Sequence, residues 1–186
     1  MTIDNNENIY LLFFDNERLS PFLLRKNTNI PIKINGVTGH TSHIFADNNN
    51  NIYVGSGNGL YMLKSGETTA TKIKGINKKY GSFVNLYKDK KYDIIYFKTG
   101  GGLYKLNGGE NKLSKIIEGK TLEPLFFTSD YNHHTYYKDF FDKNIYFLKK
   151  DQILPNKING INNNVISIET DKKNNVYFIT NVVYIH

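Results

Sequence analysis

Five aspartates recur along this chain at nearly constant spacing. A carboxylate repeated in that way serves either as a hard-oxygen ligand for calcium or as the anchor of a turn. They are Asp4, Asp47, Asp89, Asp130 and Asp171, separated by steps of 43, 42, 41 and 41 residues. A calcium loop needs acidic residues at alternating positions and a distal bidentate Glu. No turn here has that pattern, and the positions after the Asp are as often Lys as Asn. The expected role is therefore to accept backbone N–H groups from the next few residues.

The other groups with chemical potential are scattered. Of the five histidines, His40 and His43 lie ahead of the second Asp, His133 and His134 follow the fourth, and His186 is terminal. Imidazole could hold a metal or move a proton. An adjacent pair in a turn, or an i, i+3 pair in extended chain, points its rings in poorly convergent directions, and no carboxylate accompanies them at helical spacing. The glycines of Gly55–Tyr61 and the run Gly100, Gly101, Gly102 resemble phosphate-cradling loops, but such a loop needs a following helix N-terminus. Leu-Tyr and a strand pattern follow instead, so hairpin turns are expected. No Ser or Lys stands in a nucleophile motif. With no cysteine in the chain, disulfides and thiolate metal sites are excluded. No catalytic residue, metal or cofactor is expected.

The elements that must position these residues follow from the repeat itself. The segments read DNNENIY, DNNNNIY, DKKYDIIY, DYNHHTY and DKKNNVY, and the matching tyrosines are Tyr10, Tyr53, Tyr96, Tyr136 and Tyr177. A short apolar stretch precedes each later Asp, as in HIFAD, VNLYKD, LFFTSD and VISIETD. After the Tyr come a turn and a second Tyr-bearing stretch around Tyr61, Tyr104, Tyr146 and Tyr184. The first four repeats close on a Lys-Ile step before Gly, at Lys33, Lys72, Lys115 and Lys157. Four short strand candidates in about forty-one residues, with alternation inside them and no helical period between them, are the signature of a propeller blade. The expected fold is all-β, a β-propeller of about five blades of four antiparallel strands with one blade incomplete. One domain spanning 1–186 is expected, with repeats at about 4–46, 47–88, 89–129 and 130–170 and a partial one at 171–186. A β-sandwich would not recur with this period, and a solenoid coil is usually shorter.

Composition agrees. Fourteen Tyr and twelve Phe favour a pleated, half-buried surface. The net charge of +7 raises nucleic acid as a partner, yet the lysines are spread along the whole chain, so nucleic acid is not the expected one. Apolar runs such as Ile9 to Phe14 are too short to span a bilayer, and the first residues carry no basic and apolar leader pattern. The aromatic turn from Tyr131 to Tyr137, with His133 and His134, is the candidate ligand-binding tip. His43 is the histidine placed nearest a central-channel position.

The second repeat, from Ile44 through ADNNNNIYVGSGNGLYML, resembles the repeat of the two-component regulator propellers. The resemblance rests on Asp47, Asn51-Ile52-Tyr53-Val54-Gly55-Ser56 and Gly59-Leu60-Tyr61. The third repeat keeps Ile95-Tyr96, Thr99-Gly100 and Gly102-Leu103-Tyr104, and the fifth keeps Asn175-Val176-Tyr177 and Thr180. Tyr stands where that family has Trp, the first repeat lacks Gly-Leu-Tyr, and the fourth has Asn144-Ile145-Tyr146 in its place. The resemblance implies a ligand-sensing or protein-binding propeller, often periplasmic or extracellular; the residues themselves leave the compartment open.

A ring of five such repeats needs about 205 residues, against the 186 here. The chain therefore reads as a ring short of one fourth strand, or as part of a larger propeller. An unfilled blade exposes a strand edge that invites self-association. The expected function is a non-catalytic binding or scaffold module for a protein or small ligand. The alternatives are a propeller lyase or hydrolase with a central-channel site, and a sugar-binding lectin-like propeller.

Overall fold

The computed structural model describes residues 1–75, 85–89, 94–99, 102–110, 113–118, 124–150, 152, 154–161 and 164–181; at 85–89, 94, 98, 99, 115, 117, 118 and 124 only the backbone is described. Among them there is no helix. The strands form antiparallel sheets in repeat order. The first sheet holds β1 (Thr2–Ile3), β2 (Ile9–Asp15), β3 (Arg18–Leu24) and β4 (Ile32–Lys33). The second holds β5 (Thr41–Ala46), β6 (Ile52–Ser56), β7 (Gly59–Leu63) and β8 (Thr71–Lys72). The third holds β9 (Asn85–Asp89), β10 (Ile94–Thr99), β11 (Gly102–Asn107) and β12 (Ser114–Glu118). The fourth holds β13 (Pro124–Ser129), β14 (Thr135–Asp139), β15 (Ile145–Leu148) and β16 (Asn156–Lys157). In the fifth, β17 (Val165–Thr170) pairs with β18 (Val176–Thr180). The expected strand around Tyr184, the turn between Asp89 and Ile94, and His186 lie outside the described residues.

The first four are blades of four up-and-down strands, the propeller arrangement that the period predicts. The chain divides into two compact units, Met1–Lys115 and Ile116–His186. In the first unit, adjacent sheets stack face to face. Tyr10, Leu23 and Ile34 of the first sheet pack with Ile44, Ile52, Val54, Tyr61 and Leu63 of the second. The opposite face of that second sheet, with Tyr53, Leu60, Met62 and Ile73, packs with Ile95, Phe97, Tyr104 and Leu106 of the third. Neighbouring residues of β6 and β7 therefore serve different cores, because successive strand side chains point to opposite faces. In the second unit, Ile145 packs with Val165 and Ile168, flanked by Phe126, Tyr136, Val176 and Phe178. Burying each such side chain stabilises by roughly 1.5–3 kcal/mol.

The closing Lys-Ile step has a shared geometry. The N–H groups of Ile34, Ile73 and Ile158 donate to the carbonyls of Pro21, Leu60 and Ile145, at 2.9, 2.9 and 2.8 Å. That pins the short fourth strand while Ile34 and Ile73 enter the core. Gly36, just beyond, has φ +82°, and a Cβ on it would stand 2.1 Å from the Ala70 carbonyl oxygen. The backbone of Asn35 bonds to Thr68 and Ala70 on either side of that contact, so only glycine permits the approach.

One recurrent feature has no sequence signal. The register of the first strand slips five residues before the Asp, at Ser42, Leu125 and Ile166. Each slip is a β-bulge, which bends the strand and re-aims the next side chain. In the second sheet that side chain is His43.

Candidate functional site

The repeated Asp builds the same cage in four repeats. Asp4 Oδ1 accepts the N–H groups of Asn6 and Asn8, both at 2.9 Å, while Oδ2 accepts the Asn8 side-chain amide and the Tyr10 hydroxyl. Asp47 does the same with Asn49, Asn51 and Tyr53, and Asp171 with Lys173, Asn175 and Tyr177. In the fourth repeat His134 replaces the Asn: its Nδ1 lies 3.0 Å from Asp130 Oδ2, with Asn132, the His134 N–H and Tyr136 completing the set. The residue three after each of these Asp adopts the left-handed conformation, at φ values from 62° to 66°: Glu7, Asn50, His133 and Asn174. These carboxylates are saturated by donors, which is the turn role expected of them.

The cages also link repeats. Asn50 Oδ1 accepts the Asn5 N–H at 2.8 Å, and Asn174 Oδ1 accepts the Tyr131 N–H at 2.8 Å. From the third sheet, the Gly109 N–H donates to Asp47 Oδ2 at 3.0 Å and to the Tyr53 hydroxyl oxygen at 2.8 Å. A buried phenol beside a carboxylate resists ionisation. Tyr136 is pushed up to about 12, by burial first and by the Asp130 charge and hydrogen bond after it. Asp171, by contrast, is drawn down to about 2, chiefly by the Asn175 side chain and N–H.

A pH dependence follows. The folded state holds the Tyr136 proton more tightly than the unfolded chain, whose phenol titrates near 10. Its contribution to stability is intact below pH 10 and is lost as pH rises through about 12. Thermal melts across that range will show a shallower alkaline decline for Tyr136→Phe than for the parent chain. An identical decline would mean that this phenol does not contribute.

Of the residues expected at the binding tip, Tyr131, His133 and His134 share the fourth-repeat turn, where His134 serves the Asp130 cage. Tyr137 lies in β14 at 0% exposure, its ring stacked on that of Tyr146 at 5.4 Å. Its hydroxyl has no hydrogen-bond partner among the described residues. His43, in the other unit, has Nδ1 3.0 Å from the Ser42 hydroxyl. So three of the five share one turn, the fourth is buried and the fifth belongs to the other unit.

A feature that sequence inspection misses is a groove of about 800 Å³ beside the outer strands of the second sheet. Met62 and Leu113 give it an apolar floor, and Lys64, Lys72, Lys74, Glu67 and Thr71 line it. The Lys72 ammonium donates to the Asn58 carbonyl oxygen and sits 5.9 Å from the centre of the Tyr61 ring, on the face of the second sheet opposite Met62. Lys64 and Lys74 have no ion pair among the described residues. The Lys64 and Lys74 ammonium groups against the one Glu67 carboxylate make the groove electropositive, and its partly apolar floor strengthens the field felt by an anion. Lys64 and Lys74 lie ten residues apart, yet their place in one groove depends on the β7–β8 turn and on Leu113 from the next repeat.

Solved structures similar to this chain are propellers. The extracellular domain of BT4673 from B. thetaiotaomicron, assigned to the one- or hybrid two-component systems, matches with a TM-score of 0.66 at 17% identity, over 97% of this chain and 26% of that one. A streptogramin B lyase matches with a TM-score of 0.64 at 11% identity, over 96% of this chain and 60% of that one. A chain of the nidogen/laminin complex matches with a TM-score of 0.61 at 13% identity, over 96% of this chain and 70% of that one. This chain thus spans about a quarter of the length of the BT4673 domain. No family model and no curated protein matches it. At these identities the likeness carries the fold, and the chain is a propeller repeat protein. No helix among the described residues is long and apolar enough to cross a membrane.

Proposed function

We propose that this propeller module is a non-catalytic binding protein whose ligand is an organic polyanion with an apolar body, seated in the lysine-lined groove beside the second sheet. The observation that carries this is the placing of Lys64 and Lys74 in one groove with Met62 and Leu113. A volume of about 800 Å³ suits a drug-sized molecule, and a few charged groups around an apolar floor are the usual make-up of such a site. The recurrent Asp, Asn and Tyr groups are engaged in turn cages, which supports a binding rather than a catalytic reading. The likeness to lyases at 11% identity brings no chemistry with it. Placement outside the cell is part of the same proposal, supported by the likeness to an extracellular domain.

The probe is benzene-1,3,5-tricarboxylate, with the neutral tricarboxamide as control, followed by calorimetry. The tricarboxylate is expected to bind and the tricarboxamide is not. The pair Lys64→Glu and Lys74→Glu weakens binding by at least about tenfold, equivalent to about 1.4 kcal/mol, and added salt weakens it further. Equal binding of both probes, or a charge-reversed variant that binds as well as the parent, would overturn the reading.

A further inference from the structure

The hairpin that joins β14 to β15 is longer than its counterpart in the second sheet. Counted from the matching tyrosines Tyr136 and Tyr53, Asp139 and Asn144 stand where Ser56 and Gly59 close the shorter turn. Four residues, Phe140 to Lys143, therefore take the place of Gly57 and Asn58. Two of them are aromatic and face solvent, Phe140 at 45% exposure and Phe141 at 58%.

The turn holds this pair out from the sheet. Asp139, 0% exposed at its base, accepts the N–H groups of Phe141 at 2.8 Å and of Asp142 at 3.2 Å. Its own N–H donates to the Asn144 carbonyl at 2.9 Å. Asp142 is drawn back towards the strands, taking the Asn144 N–H at 2.9 Å and the Tyr146 hydroxyl at 2.5 Å. The N–H groups of Phe141, Asp142 and Asn144 are thus satisfied within the hairpin, which is what a medium poor in water demands. At the apex the two phenyl rings meet edge to face at 5.4 Å. Lys143, in the left-handed region at φ 61°, holds its ammonium 4.2 Å from the centre of the Phe140 ring.

Size and charge decide what such a tip meets. Two rings of this exposure offer on the order of 200 Å² of apolar surface, whereas a stable protein interface takes about 800 Å² from each partner. A bilayer interface needs no complementary shape and accepts aromatic rings at headgroup depth. In its anionic form it also attracts a chain of net charge +7. In the first sheet Phe14 is more exposed still, at 76%, but the apex beyond it is Asn16-Glu17, and an exposed carboxylate there is repelled by the same surface.

We propose that Phe140 and Phe141 insert into the interface of an anionic phospholipid bilayer, with Lys143 against a lipid phosphate. The net charge brings the chain to the surface, and the two rings select the turn that enters. Attachment through one small apolar tip plus charge is weak and reversible.

The chain has no tryptophan, so Phe141→Trp carries a single reporter. Leu154→Trp, at a residue 76% exposed beyond the opposite end of β15, is its control. The vesicles are equimolar phosphatidylcholine and phosphatidylglycerol with brominated acyl chains. The Phe141→Trp emission is expected to move to the blue and to be quenched, while that of Leu154→Trp stays as in buffer. In sedimentation with the same lipids, the Phe140→Ser/Phe141→Ser chain partitions at least about tenfold less than the parent, with its thermal melt unchanged because both rings are exposed. Vesicles of phosphatidylcholine alone bind the parent more weakly. A Phe141→Trp chain whose emission ignores the vesicles would overturn the proposal. So would equal quenching of the two reporters, or a Ser pair that partitions as the parent does, since either means adsorption by charge alone.

Discussion

Replacing Asp47 with Ala will lower the stability of the chain by about 3–5 kcal/mol. The carboxylate is 2% exposed and takes hydrogen bonds from the N–H groups of Asn49, Asn51 and Gly109, the Asn51 side chain and the Tyr53 hydroxyl. Its removal strands these donors where water reaches them poorly, and a buried unsatisfied group loses its full solvation energy. One of them, Gly109, comes from the third sheet, so the damage extends to a junction between repeats. The same substitution at Asp171 deletes the same four bonds within the turn, with no counterpart of the Gly109 bond, and that cage is solvent-exposed. Water replaces the lost partner there, and the fall will be much smaller. Denaturant unfolding of the two variants provides the comparison. Equal losses would show that burial and the Gly109 bond do not set the worth of the cage.

Phe97→Ala is the second large effect, at about 3–5 kcal/mol. Phe97 is 0% exposed in the core between the second and third sheets, its ring stacked on Tyr104 with centroids 5.1 Å apart. The substitution forfeits the transfer energy of the ring, opens a cavity between two sheets that are each held by short strands, and removes a stacked pair worth about 0.5–1.5 kcal/mol. Phe97→Leu refills most of the volume and should cost less than about 2 kcal/mol. Denaturant midpoints measure both. A loss below about 1 kcal/mol for the Ala variant would mean that this junction collapses around the gap.

Much of this was legible in the residues because the fold is built from local repeats. The Asp-to-Tyr spacing predicts a turn between two strands, and the cages at Asp4, Asp47, Asp130 and Asp171 form it with donors at fixed offsets. The Lys-Ile step is also a local device. What escaped inspection depends on residues far apart in sequence. Nothing in HIFAD, LFFTSD or VISIETD announces a bulge at Ser42, Leu125 or Ile166, because the slip is a relation to the facing strand. The Asn50 and Asn174 links join positions about one repeat apart. The lysine groove needs Leu113 from another repeat to give it a floor. Strict alternation places Tyr137 on the face opposite Tyr136, and its burial follows from that parity.

The most direct test of the binding site is the location of amide shift changes when benzene-1,3,5-tricarboxylate is titrated into labelled protein. The groove reading predicts that the perturbed amides fall between Met62 and Gly75, centred on Lys64, Thr71, Lys72 and Lys74, with the Tyr131–His134 turn unmoved. Perturbations centred on Tyr131, His133 and His134, or spread evenly over the lysines of the chain, would contradict it.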